Sequence, residues 1–341
     1  MHTLILGSRV SSDTQGITFC SFDEQTGTIA YLTSFDGVEQ PTFQCFDGER
    51  RILYTVSETE VDGHVHGYCV SPSLACEQIL CIPSLGGSPC HLALAPSGAG
   101  LAIANYADGT FTYHGFEKPG YRETFSGTGK HPVRQERSHI HSSLWKADDG
   151  SLLVADLGLD RLVWYKHSFT SKQYIKVPPG TGPRHMALSS DMTTLFVAGE
   201  LSSEVLVIKL GPVPGVVQII STLPPDYSLE NTAADIHLSS DGRFLYCSNR
   251  GHNSIAMYAV EPASGFLTLL GHCKVEEEPR NFALDPSGAY LLSGNASSNS
   301  VTVHAIDQRT GMLFSAVQRF NLLAPVCLTF MTLQEGRFRP S

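Results

Sequence analysis

One pattern recurs along this chain: a short apolar strand, a tight polar turn, a second apolar strand, another polar turn, and a third alternating strand. It reads HLALAPSGAGLAIANYADGTFTYHGF from His91 and HMALSSDMTTLFVAGELSSEVLVIKL from His185. It returns as DIHLSSDGRFLYCSNRGHNSIAMYAV from Asp235 and NFALDPSGAYLLSGNASSNSVTVHAI from Asn281, with diverged copies from His141 and near Thr42. Copies start about 44 to 50 residues apart. Period-two alternation bounded by Gly, Pro, Asp and Ser is the signature of strands and hairpins, and no stretch sustains a period of 3.6. A repeat of this length with about four strands per unit predicts β-propeller blades. Six copies fit between Thr42 and about Ile306. VCLTFM, at Val326 to Met331, is an inner strand with nothing after it, whereas TLILGS and GITFCSFDEQTGTIAYLTSF supply strands that lack an inner one. Joining them makes a seventh blade and pairs edges otherwise left open. The expected fold is all-β: one seven-bladed propeller over residues 1–333, with four antiparallel strands per blade and a flexible tail at 334–341.

The net charge of −10 and the lack of any basic run exclude nucleic acid as partner, because that binding needs clustered Lys and Arg. No segment approaches the roughly 20 apolar residues of a membrane span, and the start lacks the charged region of a secretory signal. The nine cysteines are odd in number and form no C-x-x-C. Reduced thiols in a cytoplasmic protein are expected.

Aligned on the glycine of the first turn, the blades differ at two polar positions. At the start of the innermost strand stand Cys90, Arg184, Ala234 and Arg280, and a one-residue shift puts His141 there in the third blade. At the end of the second strand stand Asn105, Asp156, Glu200, Asn249 with Arg250 and His252, and Asn295. Antiparallel pairing brings both positions to one end of each blade, around the mouth of the central channel. Arg184, Arg250 and Arg280 form a cationic cluster in an acidic protein, and the planar guanidinium fork suits carboxylate and phosphate. A small anionic ligand is expected, with His141 and Glu200 as groups able to exchange protons. His139, one step out in the connecting loop, is a further contact. His64 and His66 are read as an exposed hairpin, and His185 as structural.

GPRHMALSSD, AGELSSEV, AADIHLSSDGRFLYCSNRGHNSI, EPRNFALDPSGAYLL and RQERSHIHS resemble the cytosolic propeller lactonases. That family includes the propeller-type bacterial 6-phosphogluconolactonases and the fungal 3-carboxy-cis,cis-muconate lactonising enzymes. The resemblance covers nearly the whole chain. It implies a seven-bladed propeller, with no metal and no organic cofactor, that opens or closes the lactone of an acidic substrate. It also implies catalytic roles for His141, Arg184, Glu200 and Arg250, and a substrate contact for Arg280. Ser138 and Ala296 depart from the pattern of many relatives and bear on the choice of substrate.

Hydrolysis of 6-phosphogluconolactone is the leading expectation. His141 would act as general base, Glu200 would orient the imidazole or deliver the proton, and Arg184 or Arg250 would stabilise the oxyanion. Arg280, His139, Asn105, Asn249 and Asn295 would bind substrate. Formation of a muconolactone is the alternative. Two rivals are a metal-dependent lactonase, with Asn105, Asp156, Glu200, Asn249 and Asn295 as a hard-oxygen cage, and a propeller that only presents surfaces to protein partners.

Overall fold

The computed structural model describes residues 1–117 and 120–332. The expected tail at 334–341 lies outside the described residues. The described residues form 28 strands in seven four-stranded antiparallel sheets, and no helix. Blades 1 to 6 span residues 44–83, 89–124, 140–176, 183–221, 232–274 and 279–321. Blade 7 takes its inner strand, Pro325–Phe330, from one end of the chain and its other three strands from the other end. Leu4, Leu6 and Gly7 pair there with Phe330, Leu328 and Cys327. The first strand of every blade touches the first strand of the next, and the contact between Pro325–Phe330 and Gln44–Asp47 closes the ring.

The core is a set of apolar layers between blades. Leu153, Leu162 and Trp164 of blade 3 pack on Leu195, Leu206 and Ile208 of blade 4. Phe196, Val205 and Val207 pack in turn on Leu245, Ala256 and Tyr258 of blade 5. Second strands such as Thr194–Gly199 are buried on both faces, so their alternation is masked and they read as continuous apolar runs. Each such Leu, Val or Phe contributes about 1.5–3 kcal/mol by leaving water.

Two local devices aim side chains at the channel mouth. The first is an irregularity at the start of the inner strands. Pro89 pairs with Asn105 and His91 with Ala104, which leaves Cys90 as an extra residue. The same slip occurs at His141, around Arg184 and His185, around Ala234 and Asp235, at Arg280, and at Val326. A bulge bends its strand and re-aims the side chain it carries. The second device is a left-handed residue just before the strand's proline. Ser88, Gly182, Glu278 and Ala324 have φ of 49°, 60°, 59° and 39°. Their carbonyls each accept a backbone hydrogen bond from the residue after the second strand of the same blade, namely Tyr106, Glu200, Ala296 and Arg9. Blades 1 and 3 make the same bond from Glu58 to Gln40 and from Leu157 to His139.

Candidate active site

These bonds define a mouth position in six blades, at Arg9, Glu58, Tyr106, Leu157, Glu200 and Ala296, and Arg250, which follows Asn249 and pairs with Thr232, holds the same place in blade 5. With the bulge residues above them they form the rim of the channel. Glu200 is the centre of charge. Its Oε2 lies 2.9 Å from Arg184 Nε and 3.2 Å from Arg250 Nη2. Its Oε1 accepts a hydrogen bond from Arg134, a residue of the long loop entering blade 3. Arg134 also donates to Tyr106 Oη at 3.2 Å. Burial opposes ionisation of Glu200, but Arg250, Arg184 and Arg134 outweigh it and hold the carboxyl down at about 2. Glu200 is therefore held as a carboxylate at neutral pH.

His141 Nε2 lies 3.8 Å from Glu200 Oε2, and its ring meets Tyr106 edge-on at 5.6 Å. Burial, and then Arg184, His185, Arg280 and Arg250, push its pKa well below the ordinary histidine value. The imidazole is neutral, the form a general base requires. Its Nδ1 is buried without a partner among the described residues.

Arg184 is almost wholly enclosed and donates to the carbonyl of Ala234 at 2.5 Å. Arg250 reaches the carbonyl of Ala233 at 3.3 Å, and its Nε has no hydrogen-bond partner among the described residues. Across the mouth, Arg280 Nη2 lies 3.8 Å from Glu58 Oε2, and Arg9 Nη1 lies 3.7 Å from Glu278 Oε1.

The structure brings His141, Arg184, Glu200, Arg250 and Arg280 together as the sequence led us to expect. It does not bring Asn105, Asn249 and Asn295 to the mouth. All three are 0% exposed. Asn249 Oδ1 accepts from Thr222 and Asn231, and its Nδ2 donates to Thr222 and Ser254. Asn295 bonds Ser293, Ser300 and Thr302, and Asn105 bonds Thr110 and Thr112. They stand one residue before the mouth position, and on a strand one residue is the difference between opposite faces. Asp156, at the same inward position, holds the backbone of His139 and Leu159. His139 is not free for substrate either. Its Nδ1 bonds the carbonyl of Tyr106 at 2.7 Å, its Nε2 reaches Glu136 at 3.1 Å, and its ring stacks on Tyr106 at 4.3 Å. It positions Tyr106.

Arg9, Glu58, Tyr106 and Arg134 were missed. The first three occupy in blades 7, 1 and 2 the place Glu200 and Arg250 occupy in blades 4 and 5, so carrying that place through every repeat would have found them. Arg134 lies in a loop outside the repeat.

Beneath the mouth the channel holds a column of imidazoles. His185 lies edge-on to His141 at 5.5 Å and to His91 at 5.4 Å, and Phe43 stacks on His91 at 4.2 Å. His185 Nδ1 bonds Asp235 at 2.7 Å. Asp235 also accepts from Asn281 Nδ2 and the backbone of Phe282. One buried carboxylate thus ties blades 4, 5 and 6, a structural use for His185 in keeping with its sequence.

Among the described residues no cluster of three or more His, Cys, Asp and Glu side chains could hold a metal ion. Among the same residues no helix is long and apolar enough to cross a membrane.

The family model described as lactonase, 7-bladed beta-propeller, matches residues 3–330. The 6-phosphogluconolactonase of Bacillus subtilis is 27% identical over 339 residues, covering 96% of this chain and 97% of its own length. That of Formosa agariphila is 30% identical over 293 residues, covering 80% and 82%. The periplasmic gluconolactonase structure from Pseudomonas aeruginosa matches with a TM-score of 0.90 at 28% identity, over 98% of this chain and 99% of its own.

Proposed function

The chain belongs to the lactonase family of seven-bladed β-propellers, and from that premise we propose that it hydrolyses 6-phosphogluconolactone to 6-phosphogluconate. The observation that carries this is the charge of the mouth. Five guanidinium groups (Arg9, Arg134, Arg184, Arg250, Arg280) face three carboxylates (Glu58, Glu200, Glu278), a surplus of two positive charges in a protein of net charge −10. That surplus matches a dianionic phosphate ester and has no counterpart in a neutral sugar. The Bacillus subtilis relative, which aligns over 97% of its own length, is named 6-phosphogluconolactonase, and that supports the reading.

In this mechanism neutral His141 takes a proton from water as its oxygen bonds to the ring carbonyl carbon. Negative charge builds on the carbonyl oxygen, where a preorganised donor is worth most. Arg250 suits that role better than Arg184, whose side chain is 2% exposed against 15% for Arg250. Glu200 stabilises the imidazolium that forms beside it. The ring C–O bond then breaks, the leaving alkoxide takes the proton back from His141, and the new carboxylic acid ionises to solvent. The nine free cysteines fit a reducing cytoplasm.

The test is turnover of a panel: 6-phosphogluconolactone, gluconolactone and muconolactones, followed as acid release at constant pH. The phosphorylated lactone is expected to have the highest kcat/KM. Preference for a muconolactone, or no turnover of any member, would overturn the proposal.

A further inference from the structure

The order of blades divides the mouth into two arcs. Blades 3, 4 and 5 carry His141, Arg184 with Glu200, and Arg250. Blades 6, 7 and 1 carry Arg280, Arg9 and Glu58, and the inner strands of these three are consecutive neighbours around the ring. We propose that the second arc is a separate seat for the remote anionic group of the substrate, with Arg9 and Arg280 as its ligands, and that it makes the enzyme prefer a phosphorylated lactone to an unphosphorylated one. The inference rests on the lactonase function proposed above.

The division follows from what each guanidinium already does. Three of the five are claimed by Glu200: Arg184 at 2.9 Å, Arg250 at 3.2 Å, and Arg134 by a direct hydrogen bond. A second anion there would have to share donors with a buried carboxylate. Arg280 and Arg9 differ. Each meets one carboxylate at long range, 3.8 Å and 3.7 Å, and neither guanidinium makes a hydrogen bond among the described residues. Arg280 is nonetheless only 16% exposed in its side chain. A guanidinium presents five N–H donors in a planar fork, and one that is mostly enclosed but unbonded is set to receive a ligand.

The two nearby carboxylates are not tight competitors for those forks. Glu58 takes a hydrogen bond from Thr42 Oγ1, and Glu278 takes one from Ser297 Oγ at 2.6 Å. Each approaches one Nη of its arginine, at 3.8 Å and 3.7 Å, and the remaining donors of both forks are unbonded among the described residues. Glu58 can also accept from sugar hydroxyls. The backbone is fixed as well, since Arg9 N–H bonds the carbonyl of Ala324 at 2.9 Å and Arg280 sits on the bulge of its strand. A lactone bridging the arcs would place its ester over His141 and its phosphate over Arg9 and Arg280.

The experiment compares Arg9→Gln, Arg280→Gln and the double variant with wild type on 6-phosphogluconolactone and gluconolactone. Each single change is expected to lower kcat/KM for the phosphorylated lactone about 10- to 100-fold, mainly through KM, as befits loss of a charge-assisted bidentate contact. For gluconolactone the loss is expected to be under about threefold. Calorimetric titration with inorganic phosphate gives a readout that needs no turnover, and binding to wild type should weaken at least tenfold in the double variant. Equal loss on both lactones, or phosphate binding indifferent to both changes, overturns the seat. Phosphate binding that depends on Arg9 and Arg280 in a protein that turns over neither lactone would instead overturn the proposed function and leave the seat standing.

Discussion

Arg184 Nε stands 2.9 Å from Glu200 Oε2, and the side chains of both are 2% exposed. Two charges this enclosed are tolerable only together. Removing one strands the other without water, a loss of about 3–5 kcal/mol for a buried pair. Glu200→Gln should therefore lower unfolding free energy by about that amount as well as activity. Urea unfolding followed by circular dichroism measures it, and a loss below about 1 kcal/mol would mean that Arg134, Arg184 and Arg250 do not need this carboxylate.

The same pair makes stability depend on pH in a defined direction. The folded-state pKa of Glu200 is depressed from 4.5 to about 2. Its contribution is then full above the unfolded value and disappears as pH falls from about 4.5 toward about 2. The shift corresponds to something on the order of 3 kcal/mol. Other carboxylates titrate in this window, so the informative quantity is the difference between wild type and Glu200→Gln. That difference should shrink as pH drops from 5 to 2, and a constant difference would contradict it.

In the proposed mechanism His141 sets the acid limb of the rate. Burial and Arg184 keep its imidazole neutral below the ordinary histidine pKa, so kcat/KM should hold its value as pH falls through 6.5 and decline only lower. Arg280 is one of the positive charges acting on it. Arg280→Gln removes that charge and should move the limb upward, whatever it does to the height of the profile. A limb fixed at the same pH in both proteins would mean that another group is the base. His141→Ala should cost about 10²- to 10⁴-fold in kcat.

The fold was legible because a blade cannot bury its faces alone, so each copy carries the same alternation and turn residues, from His91 to Asn281. Even the split blade showed, as an inner strand without followers near Val326. The chemical groups were legible where one residue broke the repeat, as at Arg184, Arg280 and Glu200. The bulges were not. They add a residue to one strand without changing its composition, and at His141 the slip looked like a one-residue misalignment when it is shared by other blades. Tertiary contacts were least legible. Arg134 reaches Glu200 from a loop outside the repeat, and Asp235 gathers partners from three blades. No local pattern in the sequence encodes either.

The asparagines at the ends of the second strands give the cleanest test of which face a residue occupies. Asn249 has both ends of its amide bonded inside its own blade and the approach to it, with no route to the mouth. Asn249→Ala removes four interior hydrogen bonds, and although Thr222 and Asn231 keep their bonds to Ser203, the loss should cost about 1–3 kcal/mol. The neighbouring mouth residue, Arg250, keeps its own contacts with Glu200 and Ala233. The variant should therefore unfold at lower urea while kcat and KM of the folded enzyme stay within about threefold of wild type. Were Asn249 a substrate contact, KM would rise at full stability, the opposite combination. The same comparison at Asn295, whose amide bonds Ser293, Ser300 and Thr302, should give the same sign. The two substitutions lie in different blades without shared partners, so their effects on stability should add.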